Sequence, residues 1–206
     1  MVDSFIYDVT AVYACNCRLN SMNVFDGATS LTRYIEYGVK RDIYASRTSI
    51  GDYAFNGCYA LALTSLPEGV TSISDYAFNG CYALALTSLP EGITSIGSYA
   101  FRYCYALALT SLPEGVTSIG SYAFHSCYAL ALTNLPEGIT SIGSYAFQSC
   151  TGLTSITFKG TPTTIASNAF SSCTNLKDIY VPWSEGAVAN APWSATNATI
   201  HYDSEV

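Results

Sequence analysis

Basic residues are scarce in this sequence and almost absent from its middle. The chain of 206 residues has 8 Lys and Arg against 15 Asp and Glu, which gives a net charge of −7. Between residues 48 and 158, Arg102 is the only Lys or Arg. Binding to nucleic acids or anionic membranes depends on clustered Lys and Arg. We therefore expect no nucleic-acid partner.

Long apolar runs are missing as well. Half of the residues are hydrophobic and only 11% are charged, which is typical of a folded chain. No apolar run approaches the roughly 20 residues of a membrane span, so we expect no membrane insertion. The N-terminus, MVDSFIYDVTAVYACNC, lacks the basic start and apolar segment of a signal peptide. We expect a chain that acts where it is made, or a fragment of a longer protein.

Candidate catalytic bases are few. His125 and His201 are the two histidines of the chain, and only they could act as bases at neutral pH without an unusual environment. No nucleophile-elbow or phosphate-loop motif accompanies either of them. We expect no enzyme, no catalytic residue and no cofactor.

What the sequence does contain is a repeat of 23 residues. A unit this short cannot bury its apolar side chains alone, but stacked units build a continuous core. The repeat therefore predicts a solenoid, and we call each unit a rung. Three residue types keep this interval without interruption: Cys58, Cys81, Cys104, Cys127, Cys150 and Cys173; Phe55, Phe78, Phe101, Phe124, Phe147 and Phe170; Ile50, Ile73, Ile96, Ile119, Ile142 and Ile165.

Each rung divides by local chemistry into four segments. In one rung, LALTSL (84–89) favours a short strand and LPEG (89–92) a type I turn. ITSI (93–96) favours a second short strand, and GSYAFRYC (97–104) one turn of helix. Stacked in register, the strands would form a parallel sheet with the Phe series as its strongest core feature.

The cysteines do not have the spacing of a metal or disulfide framework. One thiol per rung supplies neither Cys-x-x-Cys pairs nor nearby histidines for zinc, and stacked equivalents point the same way. We expect them to be free thiols that fill the core as small apolar side chains. Cys15 and Cys17 lie outside the series, where a local bridge, a redox pair and two unpaired thiols are all alternatives.

One carboxylate per rung recurs in the PEG turn. Carboxylates on neighbouring rungs could hold Ca²⁺ between them, but no second acidic residue accompanies any of them. We therefore expect a solubilising edge and no metal site. The series consists of Glu68, Glu91, Glu114 and Glu137.

The segment CYALALTSLPEGVTSIGSYAF resembles the BspA-like, or Treponema-type, leucine-rich repeat, whose pattern is C-x-x-L-x-x-I-x-L-P-x-x-L-x-x-I-G-x-x-A-F-x-x. The resemblance covers residues 48 to about 182, and in one rung these residues match it: Cys81, Leu84, Leu89, Pro90, Ile93, Ile96, Ala100 and Phe101. It implies a right-handed, β-rich leucine-rich-repeat superhelix, and in many members adhesion to host proteins or other microbes at the cell surface.

This organisation gives three regions. Residues 1–47 are expected to be an N-terminal cap or degenerate repeats, 48–182 an array of about six rungs, and 183–206 a C-terminal cap. We expect a strand, a short helix from Ser184 and a closing strand at this end, with Trp183 and Trp193 covering the last rung. The ending also resembles repeat proteins of phage and prophage genomes from gut Firmicutes.

One departure from the family pattern concerns a leucine series. In four rungs the apolar residue stands one place earlier than the pattern has it, and Thr takes its position, whereas Ile156 keeps the family register. A shift by one residue turns a strand side chain to the other face. Either a bulge returns these leucines to the core, or they form an exposed stripe. The series consists of Leu63, Leu86, Leu109 and Leu132.

A tyrosine series lies beside these leucines. Aromatic and leucine stripes at constant spacing would suit a protein or glycan partner or self-association, although the tyrosines could instead only shield the core. Its members are Tyr59, Tyr82, Tyr105 and Tyr128.

Two functions follow from these patterns. The first is a non-catalytic recognition or adhesion module, and the alternative is a structural component of a larger assembly, such as a phage tail-associated part. The family implies a cell-surface or secreted protein, whereas the missing signal peptide suits a fragment, a cytoplasmic chain or a virion-associated one. The sequence does not choose among these locations.

Overall fold

Short parallel strands, one for each 23-residue repeat, stack into a β-solenoid of about seven turns. The computed structural model describes residues 34–36, 39–41, 49–66 and 68–205. Strands β1 (Tyr34–Glu36) and β2 (Val39–Arg41) form an antiparallel pair. The rest of the predicted N-terminal cap, with Cys15 and Cys17, lies outside the described residues.

One six-stranded sheet runs along the array. Its strands pair in parallel, each with the equivalent residues of the adjacent rung. We number rungs one to six from the strand that begins each of them: β3 (Ser49–Ile50), β4 (Ser72–Ile73), β5 (Ser95–Ile96), β6 (Ser118–Ile119), β8 (Ser141–Ile142) and β10 (Thr164–Ile165).

A second parallel sheet forms on another side of the later rungs. It contains four strands in the order β12, β11, β9, β7. Their bounds are β7 (Asn134–Leu135), β9 (Ser155–Phe158), β11 (Asp178–Tyr180) and β12 (Thr199–His201). The turn after the leucine segment is closed by a bond from Ile93 N–H to the Pro90 carbonyl, so it begins one residue later than LPEG predicts.

The predicted helical turns are wrong. The described residues form no helix, either at 97–104 or after Ser184, and so none that could cross a membrane. In a helix every N–H bonds the carbonyl four residues earlier. Here the N–H groups of Tyr99, Phe101 and Tyr103 bond carbonyls of the next rung, while those between them bond three residues back. This zigzag requires left-handed backbone, with φ of 59° at Tyr99 and 63° at Tyr103.

The phenylalanine series forms the centre of the core, as predicted. Each ring stacks on its neighbours with centroids 5.1–5.5 Å apart. From Phe78 to Phe170 the side chains are fully buried. The strand isoleucines and the leucines of the opposite segment pack around them. The core is therefore continuous through the array. Truncating a buried side chain in one rung leaves a cavity that borders both neighbouring rungs.

The cysteines have a more specific role than filling space. The thiol of Cys104 donates to the Phe78 carbonyl at 3.1 Å, and the same carbonyl accepts the Cys81 N–H at 3.0 Å. The thiol therefore satisfies the second lone pair of a buried carbonyl that would otherwise have only one partner. The same bond recurs at Cys81, Cys127, Cys150 and Cys173.

Cys104, Cys127, Cys150 and Cys173 are free thiols, which confirms the expectation for these rungs. Cys58, in rung one, is disulfide-bonded, so the expectation is wrong there.

The leucine series lies in the core, so the exposed-stripe alternative is wrong. Leu86, Leu109 and Leu132 are at most 1% exposed, and Leu63 packs half-buried against the core. The backbone reaches this arrangement through a bulge: Ala83 N–H bonds the Tyr59 carbonyl, and Ala85 N–H bonds that of Leu63. The two acceptor carbonyls are four residues apart in their rung, whereas the two donor N–H groups are two residues apart in the next rung. In a regular parallel ladder these two separations are equal. Rung five, with Ile156 in the family register, instead forms the regular strand β9.

The stacking continues after rung six without a seventh copy of the repeat. The Phe170 N–H bonds the carbonyl of Trp193, which takes the place of the next rung's alanine. Trp193 is fully buried and Trp183 nearly so, with ring centroids 5.9 and 5.3 Å from that of Phe158. Both tryptophan rings therefore pack against Phe158 of rung five, and the Trp193 carbonyl bonds Phe170 of rung six. That this region caps the array stays a prediction.

Replacing Leu86 and Leu109 together by serine should unfold the protein. Each change removes a buried leucine, which costs about 2–5 kcal/mol, and leaves a hydroxyl in the core. The sum is comparable with the whole stability of a typical domain, about 5–15 kcal/mol. The control pair is Thr87→Ser with Thr110→Ser at the adjacent exposed positions. Circular dichroism melting should show a cooperative transition for the control and none for the leucine variant; a wild-type transition in both would place the leucines at the surface.

The thiols of Cys104, Cys127, Cys150 and Cys173 should resist alkylation in the native protein. Burial raises the pKa of Cys104, Cys127 and Cys150 well above its ordinary value, and that of Cys173 to about 12. Since the thiolate is the nucleophile, iodoacetamide at about pH 8 should modify none of them until guanidinium unfolds the chain. Peptide mapping should show Cys173, the least buried of the four, reacting first. Native labelling of Cys104 at the rate of an exposed thiol would contradict this.

Candidate binding face

The tyrosines that follow the rung cysteines stack into an exposed row, the Tyr59 ladder. It consists of Tyr59, Tyr82, Tyr105 and Tyr128, all exposed. Consecutive ring centroids are 4.8–5.1 Å apart. The rings therefore cover each other's faces and expose their edges and hydroxyl groups. Both roles of these side chains, a binding surface and a cover for the core, stay predictions.

A second row, the Tyr53 ladder, was missed by the sequence argument. It consists of Tyr53, Tyr76, Tyr99, Tyr122 and Tyr145, with centroids 4.5–5.0 Å apart. These are the residues that adopt left-handed backbone, with φ of 57–59°. The signal was present, because they recur at the same interval as the phenylalanines two positions later.

Arg102, Tyr103 and His125 connect the two ladders in rungs three and four. The Arg102 guanidinium lies 4.3 Å from the Tyr103 ring centroid and 5.5 Å from that of Tyr99. It also donates to the Tyr103 hydroxyl at 2.6 Å. The His125 ring lies 5.2 Å from Tyr103 and 5.7 Å from Tyr122. The ladders and this cluster together form one continuous surface, which we call the tyrosine face.

The tyrosine face carries little charge. Desolvation, and then the charge of Arg102, lower the pKa of His125 to about 4, so its ring is neutral at neutral pH. Desolvation first, and then neighbouring tyrosines, raise the pKa of Tyr76 and Tyr105, which keeps these hydroxyls protonated. Arg102 is therefore the positive charge of an otherwise neutral surface of hydroxyl donors and ring edges.

The column between the ladders is where the rungs differ most. It holds Asn56, Asn79, Arg102, His125, Gln148 and Ser171. Within the described residues, three buried atoms of this column have no hydrogen-bond partner: Asn79 Oδ1, Arg102 Nε and His125 Nδ1. From Asn79 onward the column is therefore half-buried rather than a simple surface position. Its first two members bond each other across the rungs, with the Asn79 amide donating to Asn56 Oδ1 at 2.7 Å.

A groove of about 690 Å³ offers a second surface, along the six-stranded sheet. Its walls carry serine hydroxyls, including Ser72, Ser95, Ser118 and Ser141, with Asp52 and Asp75 at one end. The two carboxylates are engaged: Asp52 accepts the Asp75 N–H, and Asp75 accepts the Ser98 N–H. No aromatic side chain lines the groove, whereas the tyrosine face is built from a residue type that is enriched at binding hot spots.

The described part of the chain contains no cluster of three His, Cys, Asp or Glu residues that could hold a metal ion. In the glutamate series, Glu114 pairs with Lys159 across two rungs at 2.5 Å. An ammonium partner at that distance competes with any cation for the carboxylate.

Comparison with known proteins identifies the repeat. The model of the BspA type leucine-rich repeat region matches six copies over residues 40–133 and 94–191, which is more than half of the chain. No protein of curated function matches the sequence.

Three solved structures are similar. A leucine-rich repeat protein from T. pallidum is 34% identical over 65% of each chain, with a TM-score of 0.57. A leucine-rich cell surface protein from Faecalibacterium prausnitzii is 28% identical, covering 73% of this chain and 46% of that one (TM-score 0.49). The pneumococcal vaccine antigen PcpA is 20% identical over 87% and 49%, with a TM-score of 0.53, and shares the fold. The chain thus spans less than two thirds of each of these proteins.

His125 should make stability depend on pH. Its pKa in the folded protein, about 4, lies below the ordinary 6.5, so the fold favours the neutral ring. As pH falls from 6.5 to 4 the unfolded chain gains a proton that the folded chain does not, and stability decreases. Because the ring is half-exposed, we expect a loss of only about 1 kcal/mol.

The variant His125→Gln isolates the contribution of this ring to the pH dependence of stability. Glutamine is chosen because rung five carries Gln148 at the equivalent position. Urea unfolding at several pH values should show the wild type losing more stability than the variant between pH 6.5 and 4. Parallel curves for the two proteins would mean that the ring is solvated in the fold.

Proposed function

Since the chain belongs to the BspA-type leucine-rich repeat family, we propose that it is a non-catalytic recognition module, which binds a protein or glycan partner through the tyrosine face. The observation that supports this most directly is the pair of stacked tyrosine ladders, joined by Arg102, Tyr103 and His125. Tyrosine supplies large, amphipathic contact area, and its hydroxyl forms hydrogen bonds at the rim of that area.

The rigidity of the face favours binding. Each tyrosine ring within a ladder is held between neighbours at about 5 Å, and each end ring stacks on one neighbour. The backbone beneath the rings bonds to the adjacent rung. Side chains fixed before binding lose little conformational entropy on association, where a mobile side chain would cost about 0.5–1.5 kcal/mol. A partner that spans several rungs would gain this advantage at each of them.

The chemistry of the face also suits recognition rather than catalysis. His125 is half-buried, and its low pKa makes it a weak base. Arg102 is already bonded to the Tyr103 hydroxyl. What remains is a row of neutral hydroxyls, ring edges and one cation, which can hold a ligand but offer no activated nucleophile.

The test compares two double variants. Tyr82→Ser with Tyr105→Ser removes the middle of the Tyr59 ladder. The control, Thr94→Ser with Thr117→Ser, removes one methyl group from each of two exposed side chains on another side of the same rungs. Fluorescently labelled proteins are applied to a glycan array and to immobilised extracellular-matrix glycoproteins. We expect saturable binding of the wild type to at least one surface, weakened about tenfold by the tyrosine changes and unaffected by the threonine ones. Absence of binding, or equal binding by both variants, would reject the tyrosine face and favour a structural role.

A further inference from the structure

We propose that the C-terminal end of the Tyr59 ladder is a sugar-binding subsite, in which a pyranose ring stacks on the open face of Tyr128 above Thr151 and Thr174. This inference rests on the proposed function and deepens it, because it identifies the partner as a glycan and gives the position of one of its residues.

The ladder ends at Tyr128. The equivalent position holds Thr151 in rung five and Thr174 in rung six, each one repeat further on. The tall aromatic row is therefore followed by two short polar side chains on the same side of the solenoid. We call this step the threonine ledge.

The geometry leaves one face of Tyr128 uncovered. Its ring lies 5.1 Å from that of Tyr105 with 10° between the planes, so its other face is directed along the stack towards rung five. Tyr105, with a ring on both sides, is 36% exposed, whereas Tyr128 is 48% exposed. The next ring of the stack would lie about one rung spacing, roughly 4.8 Å, further on, above Thr151.

The other ladder differs at its end, because the next side chain there bonds the tyrosine backbone. The Tyr53 ladder ends at Tyr145, and the next position holds Asn168. The Asn168 side-chain oxygen accepts the Tyr145 N–H at 3.2 Å. No comparable bond is formed by the side chain of Thr151 within the part of the chain that the structure describes.

The ledge supplies hydrogen-bonding groups. The hydroxyls of Thr151 and Thr174 bond no described residue. The Asn175 amide donates to the Thr151 carbonyl at 2.8 Å, which fixes the exposed side chain beside the ledge and leaves its oxygen as an acceptor. Two hydroxyls and an amide oxygen thus lie next to one open aromatic face.

This combination favours a sugar over other rings. The face of an aromatic ring is negative and attracts the polarised C–H groups of one side of a pyranose. The sugar hydroxyls at its rim can then bond the threonines and Asn175. A purely apolar ring would desolvate these groups without replacing their hydrogen bonds, which is unfavourable.

The repeat itself provides the decisive variant. Thr151→Tyr restores the residue of rungs one to four, so it should extend the stack, keep the fold and occupy the proposed site. Tyr128→Ala removes the stacking face. Thr94→Ser with Thr117→Ser is the control, because it changes exposed side chains on another side of the solenoid and leaves Tyr128 and the ledge unchanged.

The measurement is saturation-transfer-difference NMR with methyl β-D-glucopyranoside and methyl β-D-galactopyranoside. We expect transfer concentrated on the axial protons of one sugar face in the wild type and in the threonine control, and loss of most of it in Thr151→Tyr and Tyr128→Ala. Circular dichroism confirms that each variant is folded; should Tyr128→Ala unfold, Thr151→Tyr alone decides.

Two results would overturn the subsite: no transfer to either sugar in the wild type, or undiminished transfer in Thr151→Tyr. Neither result rejects the proposed function, because binding on the arrays that depends on Tyr82 and Tyr105 would still assign a partner to the tyrosine face. The opposite outcome is also informative: Thr151→Tyr abolishes saturation transfer to the sugar, but binding on the arrays does not depend on Tyr82 and Tyr105. That result would support the subsite and confine recognition to the end of the ladder.

Discussion

Backbone hydrogen bonds between rungs are the constraint on which the rest of this structure depends. Along the turn segment every second N–H bonds a carbonyl of the next rung, and along the six-stranded sheet each strand bonds its equivalent one repeat away. Because these bonds fix the rungs in register, equivalent side chains lie directly above one another. The phenylalanine core, the thiol bonds and both tyrosine ladders all result from that register. A single inserted residue in the turn would misalign them together.

The sequence predicts those features of the fold for which stacked repeats allow only one arrangement. The period, the buried phenylalanines and the parallel strands at Ser95–Ile96 and its equivalents could be predicted, because identical residues at equal intervals can share a core only by stacking. The leucine register could not, since a shift by one residue is compatible with exposure or with a bulge. Only the backbone bonds from Ala83 and Ala85 show that the bulge is present.

The conformation of the turn and the Tyr53 ladder could not be predicted, because their residue types suggest a different structure. The spacing of Ala100, Phe101 and Cys104 predicts a helical turn, but the left-handed positions that prevent it carry Tyr99 and Tyr103 rather than glycine. The Tyr53 ladder was overlooked because its tyrosines directly precede the core segment and share its local pattern. The Tyr59 ladder could thus be predicted from the sequence. The Tyr53 ladder could not, because its place beside the Tyr59 ladder depends on the backbone conformation of the turn.

The near-identity of the rungs has a consequence for how this protein can change in evolution. Rungs two to four are almost copies of one another, so recombination between them would add or delete whole units. Each such event keeps the reading frame and the register, lengthens or shortens both aromatic rows by one ring, and leaves the tryptophan cap and the rungs before it untouched. The array can therefore change in length by whole repeats, while the sequence after rung four stays the same.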